Sequence, residues 1–407
     1  MRDALLGLAH LDWDLATAAT PEHVQSIFGR GRTIPVGIEF GTVGVLDRNG
    51  VMHELTTFRR DVRTDGRHAE VEFGVSLDDD LARRDFTINA IAYSPRLDET
   101  RDPFGGLKDI GLKIVRAVGD PDARMREDRL RALRAIRFSA RFGFEIDPAT
   151  YAAMVASSPF LGRLSPERVK QELDKTLEQV TCPSRAFVVW QAAGALRTLI
   201  PTLADLPPES FAVPDYLAMP GPKSRPARRA NRFAGLLLSL TAQQAGDVLA
   251  SLRASKMETQ AVVDVIARWR AFGTVIGESL LRSAPSDAQV RAWVAGVGRL
   301  QIGSFMRVGN AAWAAARATG HSAPSATSVK GLYRRMVRSA YRDPIDLGSL
   351  AVDGDDLRRS GIPPGPRLGR ILQTLLAAVI EDPARNTTDW LLQKAKQQHE
   401  IGERESR

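Results

Sequence analysis

The sequence predicts an α+β protein in which a small mixed-sheet head precedes an all-helical remainder. Three observations predict it. Leu11-Asp12-Trp13-Asp14-Leu15 alternates apolar and acidic residues with the period of a strand. Residues 41–46 and 52–59 read as two further strands joined at Arg48-Asn49-Gly50, and Asn-Gly is a strong hairpin signal. From Ala186 onward the chain is rich in Ala and Leu with helical patterning and no clear strand.

Composition bounds the partners. At 407 residues the chain exceeds one ordinary core, and length alone suggests about two to four domains. Lys and Arg number 56 against 48 Asp and Glu, a formal net charge of +8. A basic surface attracts polyanions, of which nucleic acid is the commonest. One cysteine, Cys182, excludes an intrachain disulfide framework and a Cys-based zinc site, and it fits a reducing compartment. The six histidines are scattered without metal-binding spacing. No run of 18 apolar residues and no signal-peptide pattern occurs. The expectation is a soluble, cytoplasmic protein with no membrane partner.

The elements follow in order. Met1 to Gly7 reads as a short helix stopped by glycine, with no strand before it. Arg2 would be a phosphate ligand if a Gly-rich turn preceded it. Valine can be encoded by GTG, which is also a start codon, so Met1 is expected to replace an internal valine of a longer protein. In the acidic strand, Leu11, Trp13 and Leu15 face a core and Asp12 and Asp14 share the other face, roughly 6–7 Å apart. Two such carboxylates repel unless a cation sits between them. A hard cation such as Mg²⁺ takes oxygen ligands and leaves positions for water and phosphates, which suits phosphoryl or nucleotidyl transfer.

Thr20-Pro21-Glu22 opens a helix to about Phe28. In the second hairpin strand Met52, Glu54, Thr56 and Phe58 share a face. Glu54 is then either a third carboxylate beside the metal or a solvent-facing residue. Residues 60–77 read as a long polar loop, a feature that is usually functional or disordered. Arg83-Arg84-Asp85 and Asn89 stand just before a helix-compatible run, and an arginine pair there can hold a triphosphate. Asp102-Pro103-Phe104-Gly105-Gly106 is a tight turn and 113–118 a last strand. Residues 120–141 read as one helix after Asp120-Pro121, with Asp128 and Arg131 one turn apart on the same side and Leu130, Leu133 and Ile136 on the packed side.

Five stretches, in this order, resemble the successive motifs of class II tRNA nucleotidyltransferases, the CCA-adding enzymes, which share a superfamily with bacterial poly(A) polymerases. They are residues 2–7, 12–17, 83–90, 102–106 and 127–131. The resemblance covers residues 1 to about 180 strongly and the basic C-terminal half weakly. It lacks a Gly-Gly turn before Arg2. It implies a nucleotidyltransferase head over 1–119, a helical neck with a nucleotide-templating helix over 120–182, a helical body over 183–325 and a tRNA-binding tail over 326–407. It implies attack of a tRNA 3′-hydroxyl on the α-phosphate of CTP or ATP, with Asp12 and Asp14 as catalytic Mg²⁺ ligands; the strand pattern, if its face meets theirs, adds Glu54 as a third catalytic carboxylate. Nucleotide contacts fall to Arg2, Arg84, Asp85, Asn89, Arg134 and Arg137.

The resemblance also gives Asp128 and Arg131 the base, and the chemistry agrees. Cytosine and adenine each offer an amino donor beside a ring acceptor, which one carboxylate and one guanidinium match. Uracil and guanine present the reverse and would leave buried groups unpaired. Residues 167–173 resemble the last neck motif, which braces the template helix; neither Glu167 nor Arg168 is expected to be catalytic. Residues 207–226 read as a linker. Two basic runs, Arg225, Arg228, Arg229 and Arg232, then Lys330, Arg334, Arg335 and Arg338 with Tyr333 and Tyr341, either face tRNA phosphates or are solvated helix faces. A Gly-rich turn at 360–367 precedes an apolar helix over 368–380 and resembles the tail that holds the tRNA elbow. Residues 394–407 are expected to fray. The rivals are a poly(A) polymerase, a partial CC- or A-adding enzyme, and an RNA-binding protein disabled by its start. The 60–77 segment resembles one that full enzymes need for the A step.

Overall fold

The computed structural model describes residues 1–8, 13–64, 69–220 and 225–404, without the side chains of 61–64, 69–70, 225 and 402–404. It divides into two compact units, Met1–Pro207 with Ser251–Arg253, and Pro208–Ala250 with Ala254–Arg407.

The first unit opens with a four-residue helix α1 (Arg2–Leu5) and strand β1 (Leu15–Thr17). Helix α2 (Pro21–Phe28) starts where Thr20 Oγ1 accepts from the His23 N–H and Pro21 occupies N1. Strands β2 (Thr33–Gly37), β3 (Thr42–Leu46) and β4 (Met52–Thr57) complete a mixed sheet of order β1-β4-β3-β2. β1 runs parallel to β4 and the other pairs are antiparallel. Val24 of α2 packs on Val43 and Val45, with Leu55 beside them.

Two expectations for this sheet are corrected. The acidic strand begins only at Leu15, and Trp13 and Leu15 are 42% and 44% exposed instead of facing a core. β1 is a three-residue edge strand, and the apolar cluster under α2 is centred on β3, two strands away. The polar stretch after β4 is no loop: β5 (Arg59–Thr64) and β6 (Ala69–Phe73) pair antiparallel. Four of the six residues of β5 are charged and break any apolar period, whereas β6 does alternate apolar and charged residues as Ala69-Glu70-Val71-Glu72-Phe73, a short strand signal inside a charged stretch.

Helix α3 (Leu77–Ala82) has a capping box between Ser76 and Asp79. β7 (Ala92–Ser94) and β8 (Glu99–Arg101) form a small hairpin, followed by α4 (Gly106–Leu112). The Asp102 carboxylate accepts from the Gly106 and Leu107 N–H groups, and Gly105 takes a left-handed φ of 73°. A Cβ on Gly106 would lie 2.2 Å from the Thr87 carbonyl oxygen, so the second glycine lets α4 reach the turn that carries Asn89. The last expected strand shrinks to β9 (Ile114–Val115), parallel to β10 (Glu145–Ile146).

The expected single helix over 120–141 is two: α5 (Pro121–Glu127) and α6 (Leu130–Phe142). Asp128 stands between them with extended backbone, φ −145° and ψ 104°. Its carboxylate accepts from the Leu130 N–H at 3.0 Å. A short acidic side chain competes with the helix by capping the next one. Leu130, Leu133 and Ile136 are buried as expected. The unit continues through α7 (Pro148–Ser157), a 3₁₀ segment (Ser158–Arg163), α8 (Pro166–Gln179), α9 (Ser184–Ala192), α10 (Ala195–Leu199) and α11 (Pro201–Ala204).

The described residues of the second unit contain helices and no strand. They are α12 (Arg225–Leu236), α13 (Ala242–Ser251), α14 (Lys256–Arg282), α15 (Asp287–Val297), α16 (Ile302–Ala318), α17 (Ala326–Arg342), α18 (Gly354–Arg359), α19 (Pro366–Glu381) and α20 (Thr388–Arg404). The expected linker holds two 3₁₀ turns whose Phe211 and Val213 are buried. The expected frayed end is helical to Arg404, because Leu391 and Ala395 are buried against α19 residues Ile371, Leu375 and Val379. No helix among the described residues is long and apolar enough to cross a membrane.

Candidate active site

Helix geometry builds the first layer of charge. Asp80 in α3 meets Arg83 and Arg84 at i+3 and i+4, at 2.8 and 3.0 Å. Burial works to raise the Asp80 carboxyl, but Arg84 and Arg83 hold it below the usual carboxylate range. Asp85 is buried next to them. It accepts from Arg134 Nε at 2.7 Å, Asn89 Nδ2 at 2.8 Å and the Phe86 N–H at 2.9 Å. Burial again works upward, and Arg134 and these hydrogen bonds override it, so Asp85 is held ionised. Arg2 donates to Asn89 Oδ1 and lies 4.6 and 4.8 Å from the Phe138 and Phe142 ring centroids.

The second layer comes from two helix faces. α6 presents Arg131, Arg134, Arg137 and Arg141, and α8 presents Arg168, Glu172, Lys175 and Gln179, at steps of three and four residues on each. Arg131 pairs with Glu127 at 2.8 Å, and Arg137 with the buried Glu172 at 2.7 Å. Arg141 pairs with Asp3 at 2.9 Å and Arg168 with Asp128 at 2.7 Å. Burial pushes Arg137 down, and the Glu172 carboxylate opposes it. Burial also works against Arg134, but Asp85 and Glu172 hold its proton more firmly than usual.

These residues enclose a cleft of about 600 Å³ lined by eight arginines, one lysine and four aspartates. The cleft brings together Arg2, Asp14, Arg84, Asp85, Asn89, Asp128, Arg131, Arg134 and Arg137 from four separate stretches of chain. Glu54 is not in its lining. β1 and β4 pair with Leu15 opposite Leu55, so the same register carried back one residue sets Asp14 beside Glu54. Among the described residues neither carboxylate has a hydrogen-bond or ion-pair partner. Asp12 lies outside the described residues, which contain no cluster of three His, Cys, Asp or Glu side chains. Asp14, a carboxylate in the cleft lining without a cationic partner among the described residues, is the kind of oxygen donor that a hard cation takes.

The expectation that Asp128 and Arg131 share one side of a continuous helix is corrected. Asp128 lies in the break and Arg131 in the first turn of α6, held by Glu127 and by the Arg83 and Arg124 carbonyls. Both still line the cleft. Arg84 Nε is buried without a hydrogen-bond partner, a donor left over for a ligand. Sequence reasoning missed Asp3, Asp80, Glu127, Arg141, Glu172, Lys175 and Gln179. The i+3 and i+4 spacings of Asp80 to Arg83 and Arg84, and of Glu127 to Arg131, carried the signal for two of them.

Known proteins match this chain along its length. The family model described as "Poly A polymerase head domain" matches residues 1–116. "Probable RNA and SrmB- binding site of polymerase A" matches 143–206, and "tRNA nucleotidyltransferase domain 2 putative" matches 334–395. A CCA-adding enzyme of Limosilactobacillus fermentum is 33% identical over 404 residues, covering 97% of this chain and 90% of the relative. The crystal structure of the Bacillus stearothermophilus CCA-adding enzyme in complex with CTP superposes with a TM-score of 0.73 at 28% identity, over 98% of this chain and 92% of that one. The Thermotoga maritima CCA-adding enzyme complexed with tRNA shares the fold, with a TM-score of 0.62 at 21% identity over 97% and 89%.

Proposed function

The chain belongs to the CCA-adding enzyme family, and from that membership we infer that it extends the 3′ end of tRNA by C, C and A, using CTP and ATP and releasing pyrophosphate. The observation that carries this reading is the cation-lined cleft that gathers Asp14, Arg84, Asp128 and Arg131 in one unit. The reaction takes place in the cytoplasm, where tRNA and nucleoside triphosphates meet.

The chemistry is an in-line displacement. The tRNA 3′-hydroxyl oxygen forms a new ester bond to the α-phosphorus as the bond to pyrophosphate breaks, and the hydroxyl proton is released. Asp12 and Asp14 would hold Mg²⁺; when bound, it lowers the pKa of the attacking hydroxyl and stabilises the leaving oxygens. Arg84, with its unpartnered Nε, takes a phosphate oxygen, as does Arg2. Asp85 and Asn89 hold Arg134 and Arg2 in place and support the ribose. The Asp128 carboxylate accepts from the base amino group and Arg131 donates to the ring nitrogen. Arg134 and Arg137 complete the field around the nucleotide, with Glu172 fixing Arg137. Binding energy goes into orientation and charge, as this transition state requires.

The test is incubation of the full chain with Mg²⁺, CTP and ATP on three tRNAs, ending before the first C, after C, and after CC. Ordered addition that stops after one A is expected. Unlimited A addition would make the chain a poly(A) polymerase, and addition to one substrate alone a partial enzyme. Asp14→Ala is expected to abolish incorporation and leave CTP binding within about threefold; retained turnover would remove Asp14 from the metal site.

A further inference from the structure

Every arginine that lines the cleft has a carboxylate within ion-pair distance. Three arginines beside the cleft have none. Arg126 is exposed on α5, Arg129 is half-buried next to Asp128, and Arg163 is exposed at the end of the 3₁₀ segment. Arg129 and Arg163 converge on one ring: their guanidinium carbons lie 4.6 and 5.1 Å from the Phe160 centroid. Phe160 is itself 43% exposed. Among the described residues, the one hydrogen bond donated by these three side chains runs from Arg129 to Ser157 Oγ, at 3.0 Å. None of the three forms an ion pair among the described residues.

Like charges gathered without a counter-charge oppose one another, and the Arg129 guanidinium shows it. Burial first, then Arg163 and Arg126, weaken its hold on its proton. The stacking on Phe160 keeps Arg129 and Arg163 close despite that repulsion. An anion that arrives here meets preset donors and relieves the repulsion.

We propose that Arg129 and Arg163, stacked on Phe160, form with the neighbouring Arg126 a second anion-binding site that grips a backbone phosphate of the RNA strand whose 3′ end occupies the cleft. The inference rests on the tRNA reading above. Several features select polynucleotide over free nucleotide. The cluster lies outside the cleft lining, yet one residue from the base-reading Asp128. Cationic side chains interleaved with an exposed aromatic ring match the backbone-and-stacking chemistry of single-stranded nucleic acid. The forked guanidinium holds a phosphodiester through two parallel hydrogen bonds, and the exposed part of the Phe160 ring offers contact to the adjoining ribose or base.

The experiment compares the full chain with Arg163→Glu and Phe160→Ala, both at exposed positions. Equilibrium binding of a tRNA ending before CCA is measured without nucleotide across a salt series, and KM for CTP is measured at saturating tRNA. Arg163→Glu is expected to weaken tRNA about tenfold or more and to lower the slope of log affinity against log salt by about one. Phe160→Ala is expected to weaken binding by about tenfold with the salt slope unchanged. KM for CTP should stay within about twofold in both. Unchanged tRNA affinity in both variants would overturn the proposal, as would a wild-type chain that does not bind tRNA. A change confined to CTP would assign the cluster to the nucleotide and also overturn it. Failure of the CCA reading is separate: the wild-type chain would then bind tRNA through this cluster without ordered incorporation.

Discussion

The carboxylate of Asp128 accepts from the Leu130 N–H through one oxygen and from Arg168 through the other. The first contact starts α6 and the second aims the group. A carboxylate has about four lone-pair sites, so room remains for a base amino group. Asp128→Asn separates these roles. Asn caps as well as Asp, within a few tenths of a kcal/mol, so the fold is expected to persist. The amide presents a donor as well as an acceptor, so the rejection of UTP should weaken. The ratio of kcat/KM for CTP over UTP is expected to fall at least about tenfold; an unchanged ratio would remove Asp128 from base selection. Asp85 gives a pH signature. Its folded pKa lies below its unfolded value of about 3.9. Its contribution is therefore present above that value and lost as pH falls through the folded pKa. Asp85→Asn breaks a buried pair with Arg134, so a loss of about 3 kcal/mol is expected near neutrality. In urea unfolding the gap to wild type should close as the pH is lowered from 5 towards 2, and a gap independent of pH would contradict the assignment.

At the scale of elements, the Asp102 to Gly106 turn is a structural device. Asp102 caps α4 and Gly106 lets it touch the Thr87 carbonyl. Gly106→Ala is expected to destabilise the first unit by about 1–3 kcal/mol through overpacking and to lower affinity for nucleotide, because the Thr87–Asn89 turn carries the partner of Arg2. Thermal unfolding and CTP titration check both, and wild-type values for both would show that the contact is soft. What was legible in the sequence follows from what each element is made of. α2, the β3–β4 hairpin and α19 were read correctly because caps, Asn-Gly and apolar period act locally. β5 carried no apolar period because four of its six residues are charged, and the alternation of β6, Ala69-Glu70-Val71-Glu72-Phe73, is only five residues long within a charged stretch. The α5–α6 break was missed because a continuous helical period ran across it, and only the capping by Asp128 overrides that period. The cleft's arginines other than Arg141 were legible as members of the motifs or of the helix that follows them. Their partners Asp3, Glu172 and Gln179 were not, since a pairing such as Arg141 with Asp3 spans 138 positions of chain.

At the scale of the whole molecule, the surplus of cations is distributed unevenly between internal and external work. Arg232 is buried and donates to the Leu217 carbonyl, so it cannot meet RNA, and Arg229 pairs with Glu258. Arg335 is tied to Asp287 and to the Pro285 carbonyl. Lys330, Arg334 and Arg338 on the same helix are exposed, and their side chains form neither hydrogen bond nor ion pair among the described residues. They recur every four residues, a step of about 6 Å along the helix axis. Val329, Leu332, Met336 and Ala340 anchor the opposite face of α17 in the core, and Tyr341 stands 86% exposed at its end. Such a fixed row can track the phosphates of an RNA strand, whereas a purely solvating face would not care about its sign. Reversing all three charges (Lys330→Glu, Arg334→Glu, Arg338→Glu) is expected to weaken full-length tRNA and to reduce the salt slope by as much as about three. Thermal stability should stay within about 1 kcal/mol, because no internal partner is lost. A hairpin containing only the acceptor stem offers fewer phosphates and should lose less affinity. Equal losses for both RNAs would place the row at the acceptor stem, and no loss for either would make it a solvated face.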